Sequence, residues 1–351
     1  MNGLRALTAS LTIVAAIEVL SPLARADEGG VSFWVPGTFG SLAATPQQPG
    51  WSFTFVFYDT SASAGSDVAL GREFRIGKIP ANLTPNLIAS LKAPSGNESV
   101  SPSYVLATPI LGGQAAVSVM GMYGRASTSV TGTLSGTLTT AAGTMPFLRQ
   151  DGIGDSVWGF GDLYPQFSLR WNTGVHNFMT YVTGDMPVGA YDSMRLSNIG
   201  IGHGAIDAGA GYTYFDSQSG HEFSAVLGFT GNLVNQSTQY QNGIDLHLDW
   251  GASQSLTGQW QIGLVGYVYK QITQDGGSGD KVGAFESQVI GVGPQIVYAF
   301  PVGDLQGNLN LKGYKEFDAA HRPDGWNVWL SFAISPAAAT PATPAVGMTT
   351  K

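Results

Sequence analysis

Three side chains that could bind a metal alternate along one short stretch of the chain: Asp245, His247 and Asp249. Carboxylates and imidazoles are ligands that Zn²⁺ accepts in proteins. On a β-strand, however, alternate side chains are roughly 7 Å apart, and each ligand must come within about 2 Å of one ion. We therefore predict no metal here. The pattern favours a polar wall whose charges pair with neighbours such as Arg170 or Lys312.

The other polar residues do not form a recognisable catalytic motif. A hydrolase needs a serine activated by a histidine and an acid. The chain has five histidines but no Gly-x-Ser-x-Gly elbow. The glycines of 200–204 lack the strand–loop–helix context of a phosphate loop, and 151–155 lacks the full ligand series of a calcium loop. We predict a protein that is not an enzyme and has no cofactor.

The element that carries the acidic and imidazole groups is a predicted β-strand over 242–250. Its even positions, Ile244 to Trp250, are apolar, and its odd positions are polar, so the two faces of the strand differ completely. Many other stretches repeat this period, and almost none has the period of an amphipathic helix. The sequence predicts an all-β fold, a closed antiparallel transmembrane β-barrel with lipid outside and a polar lumen.

Composition agrees with such a barrel. Only 11% of the 351 residues are charged and 48 are glycine, whereas soluble proteins are about 25% charged. The absence of cysteine excludes a disulfide scaffold, and the net charge of -8 argues against nucleic acid as a partner. No stretch reaches 18 consecutive apolar residues, so a membrane must be crossed by strands.

The chain divides into four predicted regions. Residues 1–26 form a signal peptide, with Arg5 before an apolar run and a small-x-small site at Ala24–Ala26; an uncleaved anchor is the alternative. Residues 27–50 form a leader or a partial plug of the barrel mouth, with Phe33 and Trp34 as anchors. Residues 51–335 form the barrel, and 336–351, rich in Pro, Ala and Thr, form a disordered tail. A signal peptide followed by a transmembrane β-barrel predicts the outer membrane of a Gram-negative bacterium.

About 12 strands are predicted, because a barrel built of hairpins with both termini on one side needs an even number. Residues 68–76 are one strand, and 82–91 is ambiguous between helix and strand. A hairpin joins 104–110 to 115–123, and 124–156 forms either an extended hairpin or a long outer loop. Aromatic residues near strand ends are candidates for interfacial girdles: Trp171, Trp250, Trp260, Tyr298 and Trp326.

Polar residues on the predicted inner faces are candidates for lining the lumen and tuning permeation. They are Asp162, Arg170, His203, Asp207, Glu222, Asp245, His247, Asp249, Tyr267, Lys312 and Glu316. Such lumen residues change selectivity more than stability. Phe332, in the last strand, is a candidate for the terminal aromatic that the barrel-assembly machinery reads, although a tail follows it.

Short motifs in a fixed order resemble those of the meta-pathway phenol-degradation (MetA-type) family of outer-membrane proteins. The motifs are Glu28-Gly29-Gly30, Pro36-Gly37, Gly159–Leu163, Met186–Asp192, Asn198–Gly200, Gly211–Tyr214, Glu222–Ser224, Gly228–Thr230, Tyr240–Gly243, Asp245–Trp250 and Gly291–Pro294. The resemblance spans most of the predicted mature chain and is stronger in its second half. It implies a channel-like protein associated with the uptake of aromatic or other hydrophobic compounds.

The resulting hypothesis is a channel or transporter for passive uptake of small hydrophobic or aromatic compounds, with outer-membrane lipids around it. Selectivity would come from the lumen residues and from segments that narrow the mouth. Two alternatives remain open on the sequence. One is a non-conducting barrel that stabilises the membrane or anchors a partner, and the other is a soluble periplasmic β-sandwich.

Overall fold

The computed structural model describes residues 33–64, 83–140, 143–280 and 286–337. They form twelve β-strands and, within these ranges, no α-helix. The strands are β1 (Gly50–Ala64), β2 (Leu83–Val105), β3 (Gln114–Thr140), β4 (Gly143–Thr173), β5 (His176–Asp185), β6 (Ala205–Phe215), β7 (His221–Asn232), β8 (Asp245–Ser255), β9 (Trp260–Gln271), β10 (Gln288–Val302), β11 (Leu305–Ala320) and β12 (Asp324–Pro336).

The sheet closes on itself. Each strand pairs with its neighbours in chain order, and β1 pairs antiparallel with β12, from Phe53 opposite Ile334 to Ser63 opposite Asp324. Closure leaves no open edge around the ring. The predicted closed antiparallel barrel of about 12 strands is confirmed, and the β-sandwich alternative is wrong because a sandwich consists of two open sheets.

Side chains alternate between the two faces of the barrel wall. In β1 the aromatic residues Trp51, Phe53, Phe55 and Phe57 face outward and are 41–60% exposed. In β8 the acids and the histidine face inward and are 1% exposed, while Leu246, Leu248 and Trp250 lie on the outer face. The barrel is therefore apolar outside and polar inside, the reverse of a soluble domain with a dry core.

The two ends of the barrel differ in the length of their connections. At the end that carries both Gly50 and Pro336, short turns join the strands, and Gly174 and Gly303 adopt the positive φ values that these turns require (72° and 60°). At the other end, longer connections span 186–204, 233–244 and 272–287. We call these the turn end and the loop end.

Three strands are much longer than the rest and project beyond the loop end. β2, β3 and β4 have 23, 27 and 31 residues, whereas β5 has 10. β4 pairs with β5 only from Gln166 to Thr173, so its first part stands beyond the ring. Residues 124–140 and 143–156 thus pair as the two arms of an extended hairpin, one of the two structures expected for this region.

Some of the secondary structure predicted from the sequence needs correction, and some of it lies outside the residues that the structure describes. The described part of the ambiguous stretch 82–91 is strand, within β2. The strand predicted over 104–110 is wrong after Val105, because Leu106 to Gly113 form the turn, closed by a bridge between Ile110 and Gly113. The signal peptide, the strand predicted over 68–76 and all but the first two tail residues lie outside the described ranges.

Aromatic residues gather on the outer face near the ends of the strands. Trp260 and Tyr298 face each other across β9 and β10 at the turn end, with ring centroids 4.4 Å apart, and Trp171 ends β4 there. Trp326 lies near the loop end of β12, but Trp250 lies in the middle of β8. In the described part of the chain, no helix is long and apolar enough to cross a membrane.

Candidate functional site

Residues 33–49, which we call the N-terminal segment, lie inside the barrel. Both oxygens of the Asp249 carboxylate accept hydrogen bonds from the segment's backbone, one from the N–H of Gly37 and one from that of Phe39, each at 3.0 Å. From β11, the Nζ of Lys312 donates to the carbonyl oxygens of Gly37 and Phe39, the latter at 3.2 Å. The acid thus binds backbone N–H groups and the base binds backbone carbonyl groups of the same turn, about halfway along the barrel wall.

Nearer the turn end, three further side chains bind the backbone of the N-terminal segment. Glu222 of β7 accepts from the N–H of Leu42 at 2.9 Å, and Thr213 of β6 accepts from that of Ala44 at 3.1 Å. Gln114, the first residue of β3, both accepts from and donates to the backbone of Gln47. The segment has little regular structure of its own, so wall side chains satisfy the backbone groups that it buries.

Aromatic stacking holds the other end of the segment. The Trp34 ring lies flat on the His247 imidazole, with centroids 3.7 Å apart and planes at 12°. His247 Nε2 lies 2.9 Å from an Asp207 oxygen, which also accepts a 2.6 Å hydrogen bond from Thr230. Phe33 packs on Tyr164 of β4, at 5.6 Å between centroids. Both residues proposed as anchors, Phe33 and Trp34, are buried in the lumen.

Two inward-facing glycines make room for this packing. A Cβ on Gly251 would lie 2.7 Å from the backbone nitrogen and the Oγ of Ser41, so the segment approaches β8 only because a side chain is missing there. A Cβ on Gly228 would lie 2.3 Å from the Tyr181 hydroxyl and 2.6 Å from the His247 ring. A residue with a side chain at either position would collide with the contents of the lumen.

The remaining predicted lumen residues are also buried, and most bind the wall or the loops. Asp162 accepts from the N–H groups of Gly189 and Ile201, at 2.7 and 2.8 Å, and so holds the connection between β5 and β6. The other residues have these partners: Arg170 donates to Ser168, His203 lies beside the Gly204 carbonyl, Asp245 accepts from Asn232, and Tyr267 donates to Glu316 while accepting from Asn327.

The expected pairing of the triplet with Arg170 or Lys312 differs from the contacts that the structure shows. Asp249 and Lys312 bind one turn of the N-terminal segment from two sides, whereas Arg170 donates to Ser168 and is not bonded to the triplet. Asp245, His247 and Asp249 each have a different partner. Among the described residues, no group of three or more metal-ligating side chains converges.

The connection between β5 and β6 is fastened to the projecting part of β4. Arg195 donates to both oxygens of Asp155, at 2.7 and 3.1 Å, and the Ser197 N–H donates to the same carboxylate. The Arg195 hydrogen bond, reinforced by backbone N–H donors, lowers the pKa of Asp155 to about 2, and Asp155 in turn raises the pKa of Arg195. Beside this ion pair, Leu196 packs against Leu91 and Val130.

Beside this connection, at the loop end, lies a cavity of 270 Å³. Its floor is Trp34–Pro36 of the N-terminal segment, its walls include Tyr58 and Ala126, and the 191–201 region roofs it. Sequence reasoning missed this site and its only described arginine, Arg322, which lies in the short connection between β11 and β12. Its residues come from six separate stretches, and no single stretch carries a recognisable pattern.

Comparison with solved structures shows the fold. An outer membrane channel from Pseudomonas putida F1 aligns with a TM-score of 0.58 and 12% identity, over 86% of this chain and 99% of that one. The transport unit of the autotransporter AIDA-I from Escherichia coli reaches 0.39 with 10% identity, covering 92% and 98%. The toluene transporter TbuX of Ralstonia pickettii reaches 0.31 with 9% identity, covering 90% and 98%. Scores as low as the last two carry no argument about function.

No curated protein matches the sequence significantly. A family model does match, over residues 83–332, from the first residue of β2 into β12. This range includes every inward-facing residue that holds the N-terminal segment, and it agrees with the resemblance noted from the short motifs. The chain belongs to the family described as “Putative MetA-pathway of phenol degradation”.

Proposed function

We propose that this protein is an outer-membrane channel for the passive entry of small hydrophobic or aromatic compounds. The observation that carries the proposal is the combination of a closed barrel, an apolar outer face and a polar interior. An apolar outer face is stable against lipid and costly against water. Membership of a family named for phenol degradation supports an aromatic cargo.

The two ends of the barrel suggest its orientation. In outer-membrane barrels, short turns face the periplasm and longer loops face the outside. The turn end, with Gly50 and Pro336, would then be periplasmic, and the cavity would lie at the outer end of the barrel. Outer-membrane lipids would surround the wall, and Phe332, which stacks on Phe55 and Phe300 on the outer face, would be the aromatic read by the assembly machinery.

Passage requires the N-terminal segment to move or the solute to pass beside it. The segment crosses the lumen at the height of Asp249 and Lys312, both of which are nearly fully buried. A solute gradient is then the driving force, and the hydrogen bonds that hold the segment set the barrier. Lumen residues that bind the segment would control permeation through its position rather than by touching the solute.

A flux assay with the purified protein in liposomes tests the proposal. We expect toluene or phenol to equilibrate faster into liposomes that contain the protein than into empty ones, with no such gain for a disaccharide. Because aromatic solutes also cross lipid unaided, the comparison is made at several protein-to-lipid ratios, and the added rate must rise in proportion. An added rate of zero at all ratios would reject the channel.

One observation favours a second candidate, a non-conducting barrel that stabilises the membrane or anchors a partner. All eleven predicted lumen residues are at most 8% exposed, so the part of the lumen that they surround is filled. This candidate predicts neither solute flux nor conductance in planar bilayers, even when substitutions release the N-terminal segment. Conductance that appears on release would reject it.

A further inference from the structure

The cavity at the loop end has the composition of a binding site for a small organic molecule. Its volume of 270 Å³ is just below the range of about 300–1,000 Å³ for pockets that hold drug-sized ligands, so it suits a smaller molecule. Most of its lining is carbon, from side chains such as Val35, Ala62, Leu196 and Ile199, with the rings of Trp34 and Tyr58. A compact ring would fit such a space better than an extended or strongly hydrated solute.

One charged group in the cavity has unused hydrogen-bonding capacity. Arg322 lines the cavity, and its guanidinium lies over the Tyr269 ring, 4.8 Å from the ring centroid; its Nε and Nη1 are enclosed by protein and have no acceptor. The nearby carboxylate of Glu316 is already occupied, because it accepts from the Tyr267 hydroxyl and from the Gly325 N–H. A guanidinium with unmet donors is poorly satisfied, and a ligand oxygen in the cavity would give the part of Arg322 that lines it a charged hydrogen bond.

We propose that this cavity binds a monocyclic aromatic compound that carries one hydrogen-bond-accepting oxygen group. The ring lies among the apolar walls, and the oxygen lies on the Arg322 guanidinium, which therefore selects oxygenated rings over plain hydrocarbons. The inference rests on the proposed function, because it takes this cavity to be the first place where the transported compound binds. Glu316 also lines the cavity, and its negative charge opposes a second carboxylate, so a carboxylate and a hydroxyl are the two oxygen groups to be compared.

Fluorine NMR titration of the full chain in detergent tests the inference, with empty micelles as the baseline. The probes are 4-fluorobenzoate, 4-fluorophenol and 4-fluorotoluene. We expect the protein to bind at least one oxygenated probe more tightly than fluorotoluene, and the order of the first two identifies the oxygen group. Arg322→Gln should lower the affinity for the preferred probe about 10-fold or more, the effect expected when a charged hydrogen bond is lost. The affinity for fluorotoluene should not change.

Two further variants make the test decisive. Arg125→Gln removes a guanidinium that binds Ser156 outside the cavity, so it should change no affinity. Ala126→Phe fills the cavity and should abolish binding of all three probes while the barrel keeps its heat-modifiable gel migration. Equal binding of all probes, or an unchanged affinity in either the Arg322 or the Ala126 variant, would overturn the proposal.

The liposome assay separates failure of this site from failure of the channel. Flux that persists in the wild type without any probe binding rejects the site and leaves the channel. Specific binding without flux supports the site and rejects the channel. Flux of the oxygenated probe that falls in Arg322→Gln, while fluorotoluene flux does not, supports both.

Discussion

The hydrogen bonds from Asp249 to the N-terminal segment can be tested by one substitution. The carboxylate accepts two backbone N–H groups at 3.0 Å and is 1% exposed. In Asp249→Asn, one side-chain oxygen can still accept a hydrogen bond, but the amide NH₂ would face the second backbone N–H. At least one charged hydrogen bond is lost, and the free energy that holds the segment in place falls by about 1.5–3 kcal/mol. Because about 1.4 kcal/mol corresponds to a tenfold change in an equilibrium constant, the population in which the segment is released rises roughly 10- to 100-fold.

A cysteine label measures that release, because the chain has no cysteine of its own. Ala44 is fully buried in the lumen, so in Ala44→Cys the thiol reacts with a charged maleimide only when the segment leaves the wall. We expect the labelling rate to rise roughly 10- to 100-fold when Asp249→Asn is added.

The chain offers a closely matched control. Asp162 is also a buried inward carboxylate that accepts two backbone N–H groups, but these belong to the connection between β5 and β6. Asp162→Asn should therefore leave the labelling of the cysteine at 44 unchanged. Equal labelling rates in the Asp249 variant and its parent would refute our account of how the segment is held.

Three further outcomes follow from the same contacts. Gly251→Val should release the segment, by the same label, because its side chain would occupy the place of Ser41, whereas Gly258→Val, with open space around it, should not. Trp34→Ala removes the stack on His247 and should raise conductance in planar bilayers, whereas Trp51→Ala on the outer face should not. Because the pKa of Asp155 is lowered to about 2, its bond to Arg195 should persist at neutral pH and weaken as the pH falls below about 4 toward 2. Hydrogen exchange in 190–200, corrected for intrinsic rates, should rise over that interval in the wild type, while Asp155→Asn should already exchange fast at pH 7; an unchanged rate in the variant would contradict this reading.

Alternation of polar and apolar residues predicts best which side chains face inward in those strands that have one apolar and one polar face. Glu222 and Ser224 of β7 point inward, and Phe223, Leu227 and Phe229 point outward, as the period of two predicts. Local pattern suffices here because facing is a property of the strand itself.

The projecting strands were harder to predict from sequence. The region 124–156 is rich in Gly, Ser and Thr, and its outer and inner positions differ little in polarity, so extended hairpin and loop were equally compatible with it. The strand predicted to 110 fails after Val105, where Leu111 and Gly112 adopt positive φ and turn the chain.

The partners inside the lumen depend on closure of the barrel. Asp249 and Gly37 are 212 residues apart, and Lys312 is 275 residues from Gly37. No local pattern specifies which inward charge meets which backbone group, so Arg170 was wrongly grouped with the triplet and Arg322 was missed. The polar character of the lumen could be predicted from the sequence, but the hydrogen-bond partners of its side chains could not.

The grip on the N-terminal segment has a consequence for the order of assembly. The segment immediately precedes β1, yet the side chains that hold its turn come from β8 and β11. The earliest part of this region to be made therefore receives its last contacts only after β11 has arrived. Its docking is completed late, and a chain truncated before Lys312 would keep the Asp249 contacts from β8 but lack the base that binds the same turn.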